Sequence, residues 1–275
     1  MTDDDELVLP TRVAHASWGD NRFRGYSVAH DIAGRVGHWS RASLSVGYRT
    51  LAPDEEAVVE AMAACMLAGD PRIYPLKTVR LAACFGRVAP GLACGHLVGD
   101  GARIGPAVSA PAAQLLLDLA AELGDAPADP ESITPIVARY RRQRRRFPGF
   151  GVPFRDRDER LPALRRLVEA AGRDGGRYWR LAHALDEVLT QWELPMNPAA
   201  AVGAGLLDLG FAVEQIKALV LPIADINYLA NAYEGARNPA AALQSLPATR
   251  LDYRGPAPRV SPRKAESEAE SEPDG

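Results

Sequence analysis

The sequence predicts an all-α fold, because apolar residues recur at helical spacing along most of the chain and the alternation typical of strands is nearly absent. Apolar positions stand three or four residues apart in successive segments, and Gly, Pro or Asp bounds each segment. No internal repeat of fixed period is detectable, so the pattern does not indicate a solenoid. We therefore expect helices packed on one another through short connections.

The first predicted helix follows Pro53, where Asp54, Glu55 and Glu56 occupy the first turn and favour the positive end of the helix dipole. Its apolar positions continue at helical spacing to an end near Gly69. The same pattern predicts further helices at residues 76–93, 111–123, 130–146, 161–171, 178–192, 199–209 and 213–232.

Both ends of the chain are predicted to be disordered. Residues 1–6 are acidic, and residues 261–275 are mostly charged with no apolar side chain larger than alanine. Such segments cannot bury enough surface to offset the entropy of ordering. The folded body is expected to extend from about residue 7 to residue 260.

The bulk composition excludes several classes of partner. A chain of 275 residues with 47% apolar content can bury a substantial core, and its net charge of -3 gives no general attraction to nucleic acid or to an anionic membrane. No apolar run approaches the roughly 20 residues that span a bilayer, and the acidic start does not resemble a signal peptide. We predict a soluble cytoplasmic protein without nucleic-acid or membrane partners.

The cysteines do not indicate a disulfide framework or a metal site. Cys65, Cys84 and Cys94 are odd in number and lack the paired spacing of metal ligands. We expect small buried thiols and no bound metal.

Three segments resemble motifs of the citrate synthase family, in the same order along the chain. Residues 147–154 read Phe-Pro-Gly-Phe-Gly-Val-Pro-Phe, with Asp-Glu-Arg at 158–160, and resemble the family's Pro-Gly-Phe-Gly-His loop and its following Asp-Pro-Arg. Residues 105–110 resemble its Gly-Pro-Leu-His-Gly-Gly, and residues 194–199 resemble the Pro-Met-Asn-Val-Asp of the short citryl-CoA lyase branch. Weaker matches lie at residues 24–26, 231–234 and 253–259.

The resemblance implies an all-α dimer whose large and small helical domains close over a cleft for a CoA thioester and a keto acid. On this basis the large domain would comprise residues 7–146 and the returning C-terminal helices at 199–260. Residues 147–198 would form the small domain and carry the catalytic-type loop.

The family's catalytic positions hold Val108, Val152 and Ala199 in place of two histidines and an aspartate. In the family's reaction the aspartate removes a proton from acetyl-CoA, one histidine binds the enol oxygen, and the other polarises oxaloacetate. Valine and alanine offer neither a proton donor nor a base. Because a positioned general base typically contributes about 10²–10⁴ in rate, the standard reaction is predicted to be lost in both directions.

Two residues match the family's binding and site-shaping positions. Arg160 matches the arginine that contacts the keto-acid carboxylate, since a guanidinium can bond both carboxylate oxygens. The alternative is a surface arginine paired with Asp156 or Glu159. Asn197 matches the asparagine that shapes the catalytic turn, and the alternative is an ordinary helix N-cap.

Residues 139–146, which we call the arginine segment, contain six arginines immediately before the loop. The resemblance places CoA near this segment and near the loop, and its phosphates would then contact the arginines. The alternatives are a solvated helix end and a patch for an acidic partner. The predicted CoA contacts are Arg142, Arg145, Arg146, Gly149, Gly151 and Arg155.

His96 and Asp100 stand four residues apart and would form a pair on a continuous helix, although a glycine-rich turn at residue 99 disfavours that geometry.

With no replacement acid–base set in view, the sequence favours a non-catalytic or regulatory member of the family. The alternatives are an enzyme with altered chemistry on a CoA thioester, and a CoA or dicarboxylate sensor. No cofactor is predicted; a CoA thioester is expected as ligand or substrate. The expected partner is a second copy or a catalytically complete paralogue.

Overall fold

The computed structural model describes residues 9–17, 19–67, 70–100, 106–153, 156–238, 245, 247–259 and 261. Residues 1–6 and all but the first residue of 261–275 lie outside this range, so the predictions of disorder at both ends stay predictions. Contacts divide the chain into two units, Met1–Ala242 and Leu243–Gly275. In the second unit, the described residues include a 3-10 turn at Ala248–Arg250.

The first unit begins with a small antiparallel sheet that the sequence did not predict. Strands β1 (Ala14–Ser17), β2 (Asp20–Phe23) and β3 (Tyr26–Ser27) pair in chain order. A π-helical turn follows at Val28–Ile32. The strands are two to four residues long, which is too short for an alternating pattern to stand out.

Helices make up most of the rest of the described part of this unit, which confirms the all-α prediction. They are α1 (His38–Ser45), α2 (Pro53–Cys65), α3 (Tyr74–Ala83), α4 (Val88–Gly99), α5 (Ser109–Leu123), α6 (Pro130–Arg142), α7 (Leu161–Ala170), α8 (Arg177–Thr190), α9 (Pro198–Asp208) and α10 (Val213–Arg237). None of the helices among the described residues is both long and apolar enough to cross a membrane.

Several elements differ from the prediction. Helix α10 continues to Arg237 and does not end at residue 232, and α2 ends at Cys65 and not near residue 69. The helix expected at residues 76–93 is two helices, α3 and α4, because the chain turns after α3 and Gly86 adopts a left-handed φ of 78°. Both helices bury apolar positions in one cluster with α10, which is why the helical spacing continues across the break. Helix α6 ends at Arg142 and not at Arg146, and α1 was not predicted.

The main core surrounds α9, which is buried along nearly its whole length. A Cβ atom added to Gly203 would lie 2.6 Å from the carbonyl oxygen of Ser109, so α9 and α5 cross at a distance that only glycine permits. As expected, Cys65 and Cys84 are buried free thiols, and Cys94 is half-buried. The division into large and small domains stays a prediction.

Candidate functional site

The glycine loop that resembles the family's catalytic loop is bonded to the segment before α9. The backbone N–H of Gly151 donates to the carbonyl of Pro195 at 2.6 Å, and the N–H of Asn197 donates to the carbonyl of Gly149 at 2.9 Å. Phe150 and Met196 form an isolated antiparallel bridge between these two bonds. The loop is therefore held to α9 by a short ladder of main-chain bonds.

Both glycines of the loop have conformations that favour glycine. The φ angle is 83° at Gly149 and 106° at Gly151. A Cβ atom on Gly149 would lie 2.7 Å from the Cβ of Ala200 and 2.9 Å from the Cβ of Ala112. Gly149 thus permits close packing of the loop on α9 and α5 simultaneously.

Asn197 hydrogen-bonds both to helix α9 and to the glycine loop. Its Oδ1 accepts the backbone N–H of Ala199 at 3.0 Å, which makes it the N-cap of α9. Its Nδ2 donates to the carbonyl of Gly151 at 3.0 Å. One side chain therefore caps the helix and fixes the end of the glycine loop.

The structure brings the segments of Val108, Val152 and Ala199 together. Val108 lies half-buried directly before α5, one helical turn from Ala112. Ala199 is buried in the first turn of α9, next to Ala200. Gly149 packs closely on Ala112 and Ala200 and lies three residues before the half-buried Val152. We call residues 106–113, 147–153 and 194–203 the loop junction.

The loop junction contains no titratable side chain. Its side-chain polar atoms belong to Ser109 and Asn197. The Ser109 hydroxyl, which the sequence did not single out, is fully buried and has no hydrogen-bond partner among the described residues. The junction can donate or accept hydrogen bonds, but its own side chains cannot act as a general acid or base near neutral pH.

Arg160 forms an ion pair with Asp158. Its expected partners from the sequence were Asp156 and Glu159. The Arg160 Nε donates to Asp158 Oδ1 at 2.8 Å, and Nη2 donates to Oδ2 at 2.6 Å. This pairing raises the pKa of the Arg160 guanidinium above its usual value. The third nitrogen, Nη1, donates to the carbonyl of Leu67 at 3.2 Å, and Arg160 thereby links the start of α7 to the end of α2.

Three arginines of the arginine segment are held by neighbouring side chains. Arg139 pairs with Glu122, and Arg145 donates to Asp118 at 2.7 Å while its guanidinium lies 3.9 Å from the ring centre of Tyr140. Arg141 stacks over the ring of Trp192 at 4.0 Å. Arg145, one of the predicted CoA contacts, is thus already engaged.

The remaining three arginines of the segment are exposed. Within the described ranges, the side chains of Arg142, Arg144 and Arg146 have no hydrogen bond or ion pair. They lie at the end of α6 and in the turn that leads to the loop. The assignment of Arg142 and Arg146 as ligand contacts stays a prediction, and Arg155 lies outside the described residues.

His96 pairs with Asp225 on α10 and not with Asp100. The two atoms His96 Nε2 and Asp225 Oδ1 are 2.6 Å apart, and the imidazole meets the Tyr228 ring edge-on. Burial raises the pKa of Tyr228 to about 12. The other ring nitrogen of His96, Nδ1, is buried and has no hydrogen-bond partner among the described residues. This arrangement joins α4 to α10.

A cavity of about 230 Å³ lies at the opposite end of α9 from Asn197. Val58, Met62 and Trp179 form part of its apolar wall, and Arg173 and Asp208 contribute charge. Burial raises the pKa of the Asp208 carboxyl, which accepts two backbone N–H groups at the start of α8. The polar groups of this cavity serve helix termini and are distinct from the loop junction.

Comparison with solved structures identifies the fold. The chain is similar to citryl-CoA lyase from Hydrogenobacter thermophilus, with a TM-score of 0.79 and 20% identity over 94% of this chain and 100% of that chain. It is similar to Methanosaeta concilii ATP citrate lyase in complex with (3S)-citryl-CoA, with a TM-score of 0.72 and 18% identity over 98% of this chain and 44% of that one.

Citrate synthase from Thermotoga maritima is a more distant neighbour, with a TM-score of 0.59 and 14% identity over 84% of this chain and 59% of that one. No family model and no curated protein matches the sequence. The chain has the citrate synthase-type fold in the short form seen in citryl-CoA lyase.

Proposed function

We propose that this chain, which has the fold of citryl-CoA lyase, is a non-catalytic or regulatory protein that retains a cleft for CoA and a carboxylate. One observation carries the proposal. The loop junction keeps its glycine geometry and its main-chain bonds, yet Val108, Val152 and Ala199 leave it without a titratable group. A maintained scaffold whose own side chains include no proton-transfer group supports binding and not turnover.

The CoA part of the proposal rests on the arginine segment. Arg142 and Arg146 are exposed, have no partner in the described part of the chain, and lie seven and three residues before Gly149. Guanidinium groups suit phosphate because they donate several hydrogen bonds in a fixed plane. CoA would act here as a ligand, with its phosphates at the arginines. The neighbour with bound (3S)-citryl-CoA supports this class of ligand.

Altered catalysis through His96 receives no support from the geometry. Its Nε2 is paired with Asp225, and Nδ1, the nitrogen left to exchange a proton, is buried and not accessible to a ligand in this structure. A CoA sensor remains the second candidate function, because the unpartnered arginines favour binding of an anionic ligand.

We propose that the protein works as a homodimer or as a heteromer with a catalytically complete paralogue in the cytoplasm. Helix α4 supports an oligomer, since its twelve residues contain no acidic side chain, lysine or arginine. Leu97 on α4 is nonetheless 79% exposed, and Phe85 in the preceding turn is 76% exposed. A helix that is apolar on all sides is normally covered. Light scattering of the wild type and of Leu97→Asp tests this proposal, and an unchanged mass for a dimeric wild type would contradict the assigned surface.

Turnover assays and calorimetry test the proposed function together. The purified protein is assayed with acetyl-CoA and oxaloacetate and with citryl-CoA, and titrated with CoA. We expect CoA binding without turnover. Turnover at rates typical of enzymes, about 1 s⁻¹ or more, would overturn the non-catalytic assignment. Absence of both binding and turnover would overturn the retained cleft.

A matched variant sharpens the assay. The triple substitution Val108→His, Val152→His and Ala199→Asp returns the family's residue types to the loop junction. We expect measurable turnover from the triple variant and none from Val108→His alone, because groups that act as a unit are not additive. If the triple variant folds and binds CoA yet stays inactive, the loop junction is not the former catalytic site.

A further inference from the structure

We propose that the cavity at the C-terminal end of α9 binds a small organic amine, with Asp208 as the carboxylate that receives its ammonium group. The cavity has a volume of about 230 Å³ and is separate from the loop junction. This volume corresponds to about eight water molecules in the liquid, so it suits a small molecule and not a nucleotide. The inference goes beyond the proposed function and does not depend on CoA binding.

Most of the cavity wall is apolar, and its side chains are those of Val58, Met62, Val168 and Leu209. Gly175, in the turn before α8, also lines the cavity, and a Cβ atom added there would have no neighbour within 4 Å among the described residues. A ligand with a short aliphatic body therefore fits this space, because burial of its apolar surface is favourable.

Asp208 contributes a carboxylate that forms no ion pair in the part of the chain that the structure describes. Its two oxygens accept the backbone N–H groups of Tyr178 and Trp179 at 2.9 and 2.7 Å. A carboxylate has about four acceptor positions, so each oxygen can still accept a ligand N–H. Burial raises the pKa of the Asp208 carboxyl in spite of these bonds and of the nearby charge of Arg180. A cation in the cavity would stabilise the ionised carboxylate, since buried charges are normally paired.

Arg173, the arginine in the cavity wall, is already neutralised by carboxylates of the protein. Its Nε donates to Asp54 Oδ2 at 2.6 Å, and its Nη2 lies 3.5 Å from Glu55 Oε1. Both carboxylates belong to the first turn of α2. The charge that remains without a partner at the cavity is therefore negative, which favours a cationic ligand over an anionic one.

Trp179 favours an organic cation over a metal ion. Its side chain lines the cavity, and tryptophan is the aromatic residue that attracts cations most strongly. The imidazole of His183 meets the indole edge-on, with the ring centres 4.9 Å apart, and helps to fix its position. The described residues contain no group of three side chains that could hold a metal ion. A carboxylate, an indole and an aliphatic wall together fit an alkylammonium ion.

Calorimetry with three ligands that share one carbon skeleton tests the inference on the full chain. Isoamylamine carries an ammonium group, isoamyl alcohol a hydroxyl group and isovalerate a carboxylate. We expect the amine to bind about tenfold to a hundredfold more tightly than the alcohol, the range that a hydrogen bond to a charged group contributes. Isovalerate should not bind, because Asp208 repels it.

Asp208→Asn should reduce amine affinity to that of the alcohol and leave alcohol affinity unchanged. The asparagine keeps one oxygen for a backbone N–H of α8 and removes the charge. Asp174→Asn is the matched control, since Asp174 is an exposed residue of the same turn and does not line the cavity. It removes the same charge from the protein and should leave amine affinity unchanged.

Val168→Phe tests whether the ligand occupies the cavity. Val168 is 2% exposed and lines the cavity, so the larger side chain should fill the space and abolish binding of both the amine and the alcohol. If circular dichroism shows that Asp208→Asn or Val168→Phe is unfolded, Asp208→Ser or Val168→Met replaces it.

Equal affinities of the wild type for the amine and the alcohol, or no binding of the amine, would overturn the inference. Equal losses in Asp208→Asn and Asp174→Asn, or amine binding that survives Val168→Phe, would overturn it as well. None of these measurements involves CoA, so failure of this inference is distinguishable from failure of the proposed function.

Discussion

The loop junction and the arginine segment are adjacent in the chain and use their polar groups in opposite ways. In the loop junction, main-chain bonds and the Asn197 side chain connect the glycine loop to α9. In the arginine segment, three guanidinium groups are held by neighbours and three side chains have no partner among the described residues. The polar groups of the loop junction therefore stabilise the fold, whereas three arginines of the arginine segment are available to bind a ligand.

Gly149→Ala should break the scaffold with the largest effect on stability. A methyl group there combines a left-handed φ with overpacking against Ala200 and Ala112, which together should cost about 3–5 kcal/mol. Gly172→Ala is the matched control, since Gly172 has a φ of 67° and no atom within 4 Å of an added Cβ. It should cost only about 1–2 kcal/mol. Urea unfolding measures both, and equal losses would contradict the close packing at Gly149.

Asn197→Ala should weaken the bond between loop and helix without removing the scaffold. It deletes the N-cap of α9 and the donor to Gly151, at a cost of about 1–2 kcal/mol. Asn197→Asp keeps the cap acceptor and loses the donor, so its loss should be smaller. The two free energies of unfolding are compared by urea titration. An aspartate variant less stable than the alanine variant would contradict this ranking, because repulsion between the new carboxylate oxygen and the carbonyl of Gly151 would then outweigh the cap.

The double substitution Arg142→Gln and Arg146→Gln should affect ligand binding by the arginine segment and not the stability of the loop junction. We expect CoA affinity to fall about tenfold, an effect that shrinks at high salt, with little change in stability. Arg139→Gln with Arg145→Gln removes the same charge from the arginines that are already paired. Calorimetry at two salt concentrations distinguishes the pairs. Equal losses of CoA affinity from both double variants would indicate attraction by the overall positive charge and not a binding site at Arg142 and Arg146.

Ser109→Ala should have the smallest effect on stability and tests whether this hydroxyl of the loop junction makes a hydrogen bond. The Ser109 hydroxyl is buried without a partner in the described structure, so its removal should change stability by less than about 0.5 kcal/mol or be slightly stabilising. Ser43→Ala is the control, because that buried hydroxyl donates to the carbonyl of Arg49. Its loss should cost about 1 kcal/mol. A large loss at Ser109 would reveal a bond that the hydroxyl makes in solution.

Much of the fold could be predicted from the sequence because helical periodicity is a local property. The spacing of apolar residues predicted α5, α7 and α9 to within about two residues at each end. It joined α3 to α4, since both pack in one cluster with α10 and share the same spacing, while the turn at Gly86 leaves little local signal. The strands β1 to β3 were also not predicted, because segments of two to four residues leave little local signal in the sequence.

The sequence by itself determined which side chains the loop junction lacks. The Pro-Gly-Phe-Gly pattern set the register of the loop, and no packing can give Val152 or Ala199 a titratable proton. Only the tertiary structure decided which polar groups remain available. Arg160 proved to be engaged by Asp158 and His96 by Asp225, whereas Arg142 and Arg146 stayed free of partners within the described ranges. Side-chain pairing depends on distances between elements, and a linear pattern of residue types does not contain them.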